Sequence, residues 1–322
     1  MSRVFDHTDM KYIKEFWMLT LGWSDGNSFL GIDFALLSSA SKKNRYNEIN
    51  SDIDKRTCGY HRRQEAITKA TAHLVPMVKR ALDNGVRAKY APMDSWFPMS
   101  SAVAAFREHI DVICILKDHP KWFYEYQGKK LKLSDLYGKL KKKRVRAKIK
   151  AHAVVALSNG EQAKVVFVPC DKKRGWLALL STDLSILNEE IIRLYGKRWD
   201  IEAFFKMCRQ HLKLVKETQI RNYDGLIPHT SLVIVRYNLL SLFQRQHMDL
   251  RSFGELFRAC HGEVLNLSFM VSLEKIMRLA LANIQRIYGF TEQMIQAMLD
   301  LVMGQALAYF NLTNRSKVLM EA

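Results

Sequence analysis

Apolar residues run along this chain in two rhythms: short near-continuous runs of strand length, and longer stretches with three- and four-residue spacing. FWMLTLGWSDG and SFLGIDFALLSS are of the first kind. They meet at Asp25-Gly26, a hairpin-turn dipeptide, and predict two paired strands. A basic polar stretch follows, from Ser41 to about Arg63. QEAITKATAHLVPMVKRALDNG has helical spacing, with Pro76 a candidate kink and Asn84-Gly85 a stop signal. VRAKYAPMD predicts a short strand ending at Asp94, SAVAAFREHI a helix, and DVICILK a buried strand. From Pro120 to about Arg174 the character changes. Trp122, Phe123, Tyr124 and Tyr126 come first, then a basic stretch, then RAKIKAHAVVAL and AKVVFVPC around Asn159-Gly160. This reads as a basic, β-rich insertion. WLALLSTDL predicts another strand, and from Thr218 onward the spacing is mostly helical.

The stretch LYGKRWDIEAFFKMCRQHLKL, residues 194–214, predicts a helix with two distinct faces. Leu194, Ile201, Phe204, Phe205, Cys208 and Leu212 make an apolar side that packs on a core. Tyr195, Arg198, Glu202, Lys206 and Arg209 fall within an arc of roughly 80° beside it. One carboxylate among cations is either surface ion-pair decoration or a site.

Composition shifts the balance. The 322 residues are 48% hydrophobic, enough for one large core or a core with an inserted subdomain. Fifty Lys and Arg against 32 Asp and Glu give a net charge of +18, which points to a polyanionic partner or to a merely solubilising charge. The excess concentrates in residues 128–150, including Lys141, Lys142, Lys143 and Arg144. The five cysteines have no metal-ligand or disulfide spacing, which fits reduced thiols in a cytosol. No signal-peptide pattern is present, and SLVIVRYNLLSLF, interrupted by Arg236 and Asn238, reads as too short to span a membrane. Phosphate-loop, serine-elbow and HExxH motifs are absent from the sequence, which removes support for several enzyme classes.

The element order matches a ribonuclease H-like α/β core from its second strand onward. Residues 1–119 would form its first part without the first strand, 120–174 the insertion, 175–217 the end of the core with the glutamate helix, and 218–322 a helical region. Phosphoryl transfer in such a core needs carboxylates from different elements to meet and hold divalent ions. Asp94, at the end of a strand, and Glu202, on the helix, are the candidates for both metal and catalytic roles. The plainer alternative makes Asp94 a turn or helix-capping residue.

YGKRWDIEAFFKMCRQ resembles the Y-x2-R-x3-E-x6-K pattern of DDE transposases of the IS-four family of bacterial insertion sequences. DSWF resembles that family's second-aspartate motif, and LGWSDGNSFLGIDFALLSSA the strands before it. The resemblance covers most of the chain to about residue 245. It implies magnesium-dependent cleavage of transposon ends and strand transfer into target DNA, with manganese as a substitute ion and a homo-oligomeric active form. By position, Asp94 becomes the second catalytic Asp and Glu202 the catalytic Glu. Tyr195 and Arg198 become phosphate contacts, Arg209 stands where the family has Lys, and Lys206 is an added candidate. The first catalytic Asp lies upstream in that family, so this chain is expected to be N-terminally truncated and inactive alone. Asp6, Asp25 and Asp33 are the early substitutes to weigh, and Asp25 is better explained as a turn residue.

Other features read either way. Trp122 to Tyr126 would stack on an unpaired base or simply pack under the insertion. Trp96 and Trp199 are expected to buttress the site, and His73, His211 and His229 to be structural or exposed. The Met-rich stretch MIQAMLDLVMGQALAYF is a packed helix or a dimer contact. Two further functions stand beside the transposase: an inactive DNA-binding remnant that inhibits intact transposase through mixed multimers, and an RNA-binding protein in which Asp94 and Glu202 are incidental.

Overall fold

Apolar runs bounded by turn residues become strands, and the longer periodic stretches become helices, in a computed structural model of the protein that describes residues 1–6, 10–94, 100–140, 148–170, 175–215, 220 and 222–320. The chain divides into two compact units, Met1–Arg245 and Gln246–Ala322. The first opens with a hairpin that the hydrophobic pattern does not signal, β1 (Ser2–Asp6) paired antiparallel with β2 (Lys11–Glu15). The expected hairpin follows as β3 (Trp17–Ser24) and β4 (Phe29–Leu37). Asp25 shapes its turn by accepting the backbone N–H groups of Asn27 and Ser28, both at 2.9 Å. Gly26 supplies the φ of 96° that the turn requires. The register slips at Leu21/Gly22, leaving Ile32 without an opposite residue.

The stretch expected to be one kinked helix is two, α1 (Cys58–Ala66) and α2 (Ala70–Asp83). The break falls before Ala70, while Pro76 sits inside α2, so proline does not cause it. Thr57 caps α1 by accepting the Tyr60 N–H at 3.2 Å, which sets the first helix within the stretch read as basic loop. At the end of α2, Gly85 adopts a φ of 86° and the Val86 N–H returns to the Ala81 carbonyl at 3.0 Å.

β5 (Tyr90–Met93), α3 (Ser100–Arg107) and β6 (Asp111–Leu116) form a parallel strand–helix–strand unit. The aromatic and basic region then gives β7 (Tyr124–Tyr126), β8 (Lys129–Leu131), α4 (Leu133–Lys139), β9 (Ala151–Ala156) and β10 (Gln162–Pro169). With β11 (Trp176–Ser181) these strands join one seven-stranded sheet, in the order β5-β6-β11-β10-β9-β7-β8. All pairs beyond β5–β6 are antiparallel, so the fold is mixed α/β.

The helix expected over residues 194–214 is also two, α5 (Asn188–Gly196) and α6 (Trp199–Gln210). Between them the N–H groups of Lys197 and Arg198 bond back three residues, to Leu194 at 3.2 Å and Tyr195 at 3.1 Å, a tighter turn than the α-helix. Tyr195 therefore belongs to a different helix from Glu202, Lys206 and Arg209. The predicted apolar side does face inward: Phe204, Cys208 and Leu212 are buried.

Core packing follows the strand period. On β6, Val112, Cys114 and Leu116 enter one cluster with Val78 of α2 and Phe106 of α3, whereas Ile113 enters another with Ile191 of α5. α7 (Tyr223–Gln246) buries Val233, Ile234 and Tyr237. At 24 residues it is long and apolar enough to cross a membrane by length and composition alone. Its Asn238 side chain instead clamps Gly31 of β4, accepting that residue's N–H at 2.9 Å and donating to its carbonyl at 2.8 Å. The second unit contains α8 (Phe253–Tyr288) and α9 (Glu292–Met320), which pack on each other. Ser252 and Glu255 form a reciprocal capping box at the start of α8, and Gly289 ends it at φ 70°.

Candidate functional site

Asp94 directly follows β5, and Glu202 lies in the first turn of α6. Arg198, at the α5–α6 junction, joins them. Its Nη1 is 3.2 Å from the Glu202 carboxylate and 3.9 Å from that of Asp94. The Arg198 side chain is 17% exposed, while the two carboxylates are 43% and 48% exposed. Two carboxylates that solvent reaches thus converge on one largely desolvated cation.

The local fold fixes that cation's position. The Ser24 hydroxyl at the end of β3 donates to Asp200 at 2.7 Å, and Lys197 Nζ donates to the Asp25 carbonyl at 3.0 Å. Both bonds tie the start of α6 to the β3–β4 turn. The Arg198 guanidinium lies 5.4 Å from the Trp199 ring centre and 5.9 Å from that of Tyr195. Trp199 is 66% exposed, so it flanks Arg198 from the solvent side rather than buttressing the site from within, as expected from sequence.

Such a cluster is poorly explained as a stability device. Exposed ion pairs contribute about 0–1 kcal/mol. Arg198 Nε is meanwhile buried with no hydrogen-bond partner among the described residues, and an unmatched buried donor costs about 1–3 kcal/mol. Burial pushes the Tyr195 hydroxyl pKa up, against the opposing charge of Arg198, so at neutral pH it remains a proton donor. Lys206 and Arg209 are exposed along α6, and Arg209 Nε donates to the Phe205 carbonyl at 3.3 Å.

The early aspartates are occupied elsewhere. Asp25 accepts from the turn amides and from Arg245. Asp33 accepts from Arg80 at 2.7 Å and 3.0 Å. The Asp6 side chain, Trp96, Lys141, Lys142, Lys143 and Arg144 lie outside the described residues. Asp94 and Glu202 offer the oxygen donors that a hard divalent ion prefers. Among the described residues, however, no group of three or more metal-ligating side chains occurs.

Sequence reasoning treated Arg198 as a phosphate contact and missed its bridging place between the carboxylates. The available signal was the four-residue spacing from Arg198 to Glu202. It also missed Asp183, which accepts the Tyr90 hydroxyl at 2.8 Å and lies near Lys89 at 3.4 Å. Burial raises that carboxyl's pKa, but the bonds from Ser185, Tyr90 and Lys89 outweigh it and leave it below the usual range. This network sits at the opposite end of β5 from Asp94 and serves the sheet. His73 proves structural, within 2.9 Å of the Glu65 carbonyl, and Tyr124 is packed in the core while Phe123 is exposed. The chain matches no protein-family model and no curated protein.

Proposed function

We propose that the Asp94–Arg198–Glu202 cluster belongs to a DNA-processing active site of the DDE transposase type, on a ribonuclease H-like core, and that this chain by itself is a DNA binder with little or no cleavage activity. The observation that carries the proposal is the meeting of Asp94 and Glu202, 108 positions apart in sequence, on one desolvated guanidinium. Magnesium, or manganese in its place, would be held by the Asp94 and Glu202 oxygens and would supply charge neutralisation at a phosphodiester. Arg198, held between the two carboxylates, would offer its guanidinium charge to a phosphate oxygen, and Tyr195 adds an O–H donor beside it. Lys206 and Arg209 extend the positive face along α6, where a DNA backbone would follow. The net charge of +18 supports a polyanionic partner for the whole chain.

Among the described residues only two carboxylates meet at the site, fewer than a two-ion site needs, which favours the inactive DNA-binding reading over the fully active one.

The test is nicking of supercoiled DNA by the purified protein in magnesium, beside Glu202→Ala, with binding measured across salt. Salt-sensitive binding in both proteins without nicking is the expected result. Nicking that disappears in Glu202→Ala would reveal a third ligand and an active enzyme. Absence of DNA binding at low salt would sink the proposal, and metal-independent preference for RNA would replace it with an RNA-binding function.

A further inference from the structure

α6 begins without the device that usually fixes a helix's first turn. Arg198 stands at its N-cap position, keeps helical backbone angles and makes no side-chain cap. Packing does not set the rotation of the turn either. Phe204 lies against Phe29 of β4, with ring centres 5.3 Å apart, but apolar contact is non-directional. The directional contacts come from the β3–β4 turn. The Gly26 N–H donates to the Ser24 hydroxyl at 3.0 Å, and that hydroxyl donates to Asp200 at 2.7 Å. The amide takes a lone pair of the oxygen, so the single hydroxyl proton is directed to the carboxylate and the two bonds strengthen each other.

Lys197 adds a second tie through its Nζ, which donates to the Asp25 carbonyl at 3.0 Å. Its amine lies across Gly26, where a Cβ would displace it. Gly26 thus serves this seat twice, by its φ of 96° and by the room it leaves for Lys197. Arg198 follows Lys197 directly and precedes Asp200 by two residues, so it is held between the two ties. Asp200 and Glu202 are roughly 200° apart around the helix, which puts the tie and the site on opposite sides of one turn. Fixing one side orients the other. The 3.9 Å approach of Arg198 to Asp94 is the first contact that a rotation of this turn would break.

We infer that Ser24 is a positioning residue: through Asp200 it sets the rotation of α6 that brings Arg198 and Glu202 to Asp94, and Lys197 secures the same seat. Its purpose rests on the proposed role of that cluster, but the geometry is testable without DNA.

The reporter is the Arg198 Nε–H, buried and without a hydrogen-bond partner among the described residues. Its nuclear magnetic resonance signal is identified by its loss in Arg198→Lys. Ser24→Ala should shift the signal and speed its exchange with water roughly two- to tenfold, the range expected from one lost hydrogen bond. Ser24→Thr, which keeps the hydroxyl, should leave both near the parent values. Asp200→Ala removes the acceptor instead of the donor and should match Ser24→Ala. DNA binding across salt is then measured. Ser24→Ala and Arg198→Ala should each lower the slope by up to about 0.9, and the combined variant no further. An unchanged signal in Ser24→Ala, or a parent-like Asp200→Ala, would overturn the positioning role. So would a change that Ser24→Thr shares in full, since packing rather than the hydrogen bond would then be responsible. A signal that moves as expected while the salt slope stays at the parent value would uphold Ser24 as a positioning residue and count against the phosphate role of Arg198.

Discussion

Asp25 is the turn carboxylate that its place in Asp25-Gly26 suggests, and the fold gives it a further partner. It accepts two turn amides and the Arg245 guanidinium of α7. The Ser28 and Asn27 N–H groups, followed by Arg245, hold its carboxyl well below the usual carboxylate range. A depressed folded-state pKa gives stability that is fully present above the unfolded value of about 3.9 and is lost as pH falls toward the folded value. Asp25→Asn should therefore lower the urea midpoint at neutral pH, with the gap between variant and parent closing steadily below about pH 4. Parallel curves down to pH 2 would show that Asp25 adds nothing specific. Arg198 is the opposite case. Its ion pairs with Asp94 and Glu202 leave Nε without a hydrogen-bond partner among the described residues, a cost that fold stability alone does not explain.

At the scale of elements, the β3–β4 hairpin depends on α7 through one amide. Asn238 satisfies both backbone groups of Gly31, and a Cβ on Gly31 would stand 2.9 Å from Ile234 and 3.3 Å from Phe204. Asn238→Leu leaves a strand N–H and carbonyl unpaired in a packed place, at a cost of about 1–3 kcal/mol. For a unit of this size that corresponds to a Tm about 2–10 °C lower. Calorimetry checks it; an unchanged Tm would mean that water replaces the amide. In sequence, Asn238 was only a polar interruption of an apolar run, because its partner is 207 residues away. Such couplings explain most of what sequence did not reveal. The strands β3, β4, β5, β6, β9, β10 and β11 were legible, since each is an apolar run closed by turn residues. β1 and β2 were not: their residues are heavily charged and β2 is largely exposed, so no core imposes a pattern on them. α4 is 7 residues long, shorter than two turns, and gives no period to read. The α5–α6 break has no proline to announce it. Asp94 and Glu202 are legible as carboxylates on separate elements, and Arg198 brings them together in space.

The whole molecule carries its charge unevenly, and that asymmetry gives the DNA proposal its sharpest quantitative test. A solubilising excess spread over the surface and a phosphate-binding patch have the same net charge but different salt responses. Each phosphate contact on duplex DNA contributes about 0.9 to the slope of log affinity against log salt. Replacing Lys141, Lys142, Lys143 and Arg144 together by Ala should therefore reduce the slope by up to about 3.6 if all four meet phosphates. Replacing Lys206 and Arg209 should reduce it by up to about 1.8. Fluorescence anisotropy with one labelled duplex, from low to moderate salt, measures both. Reductions that add in a combined variant would place the two groups on one continuous DNA path. A lower affinity with an unchanged slope would mean that the substituted cations support the fold rather than the phosphates. An unchanged slope and affinity in both variants would place the polyanion on neither surface, and the charge of +18 would then need a different partner.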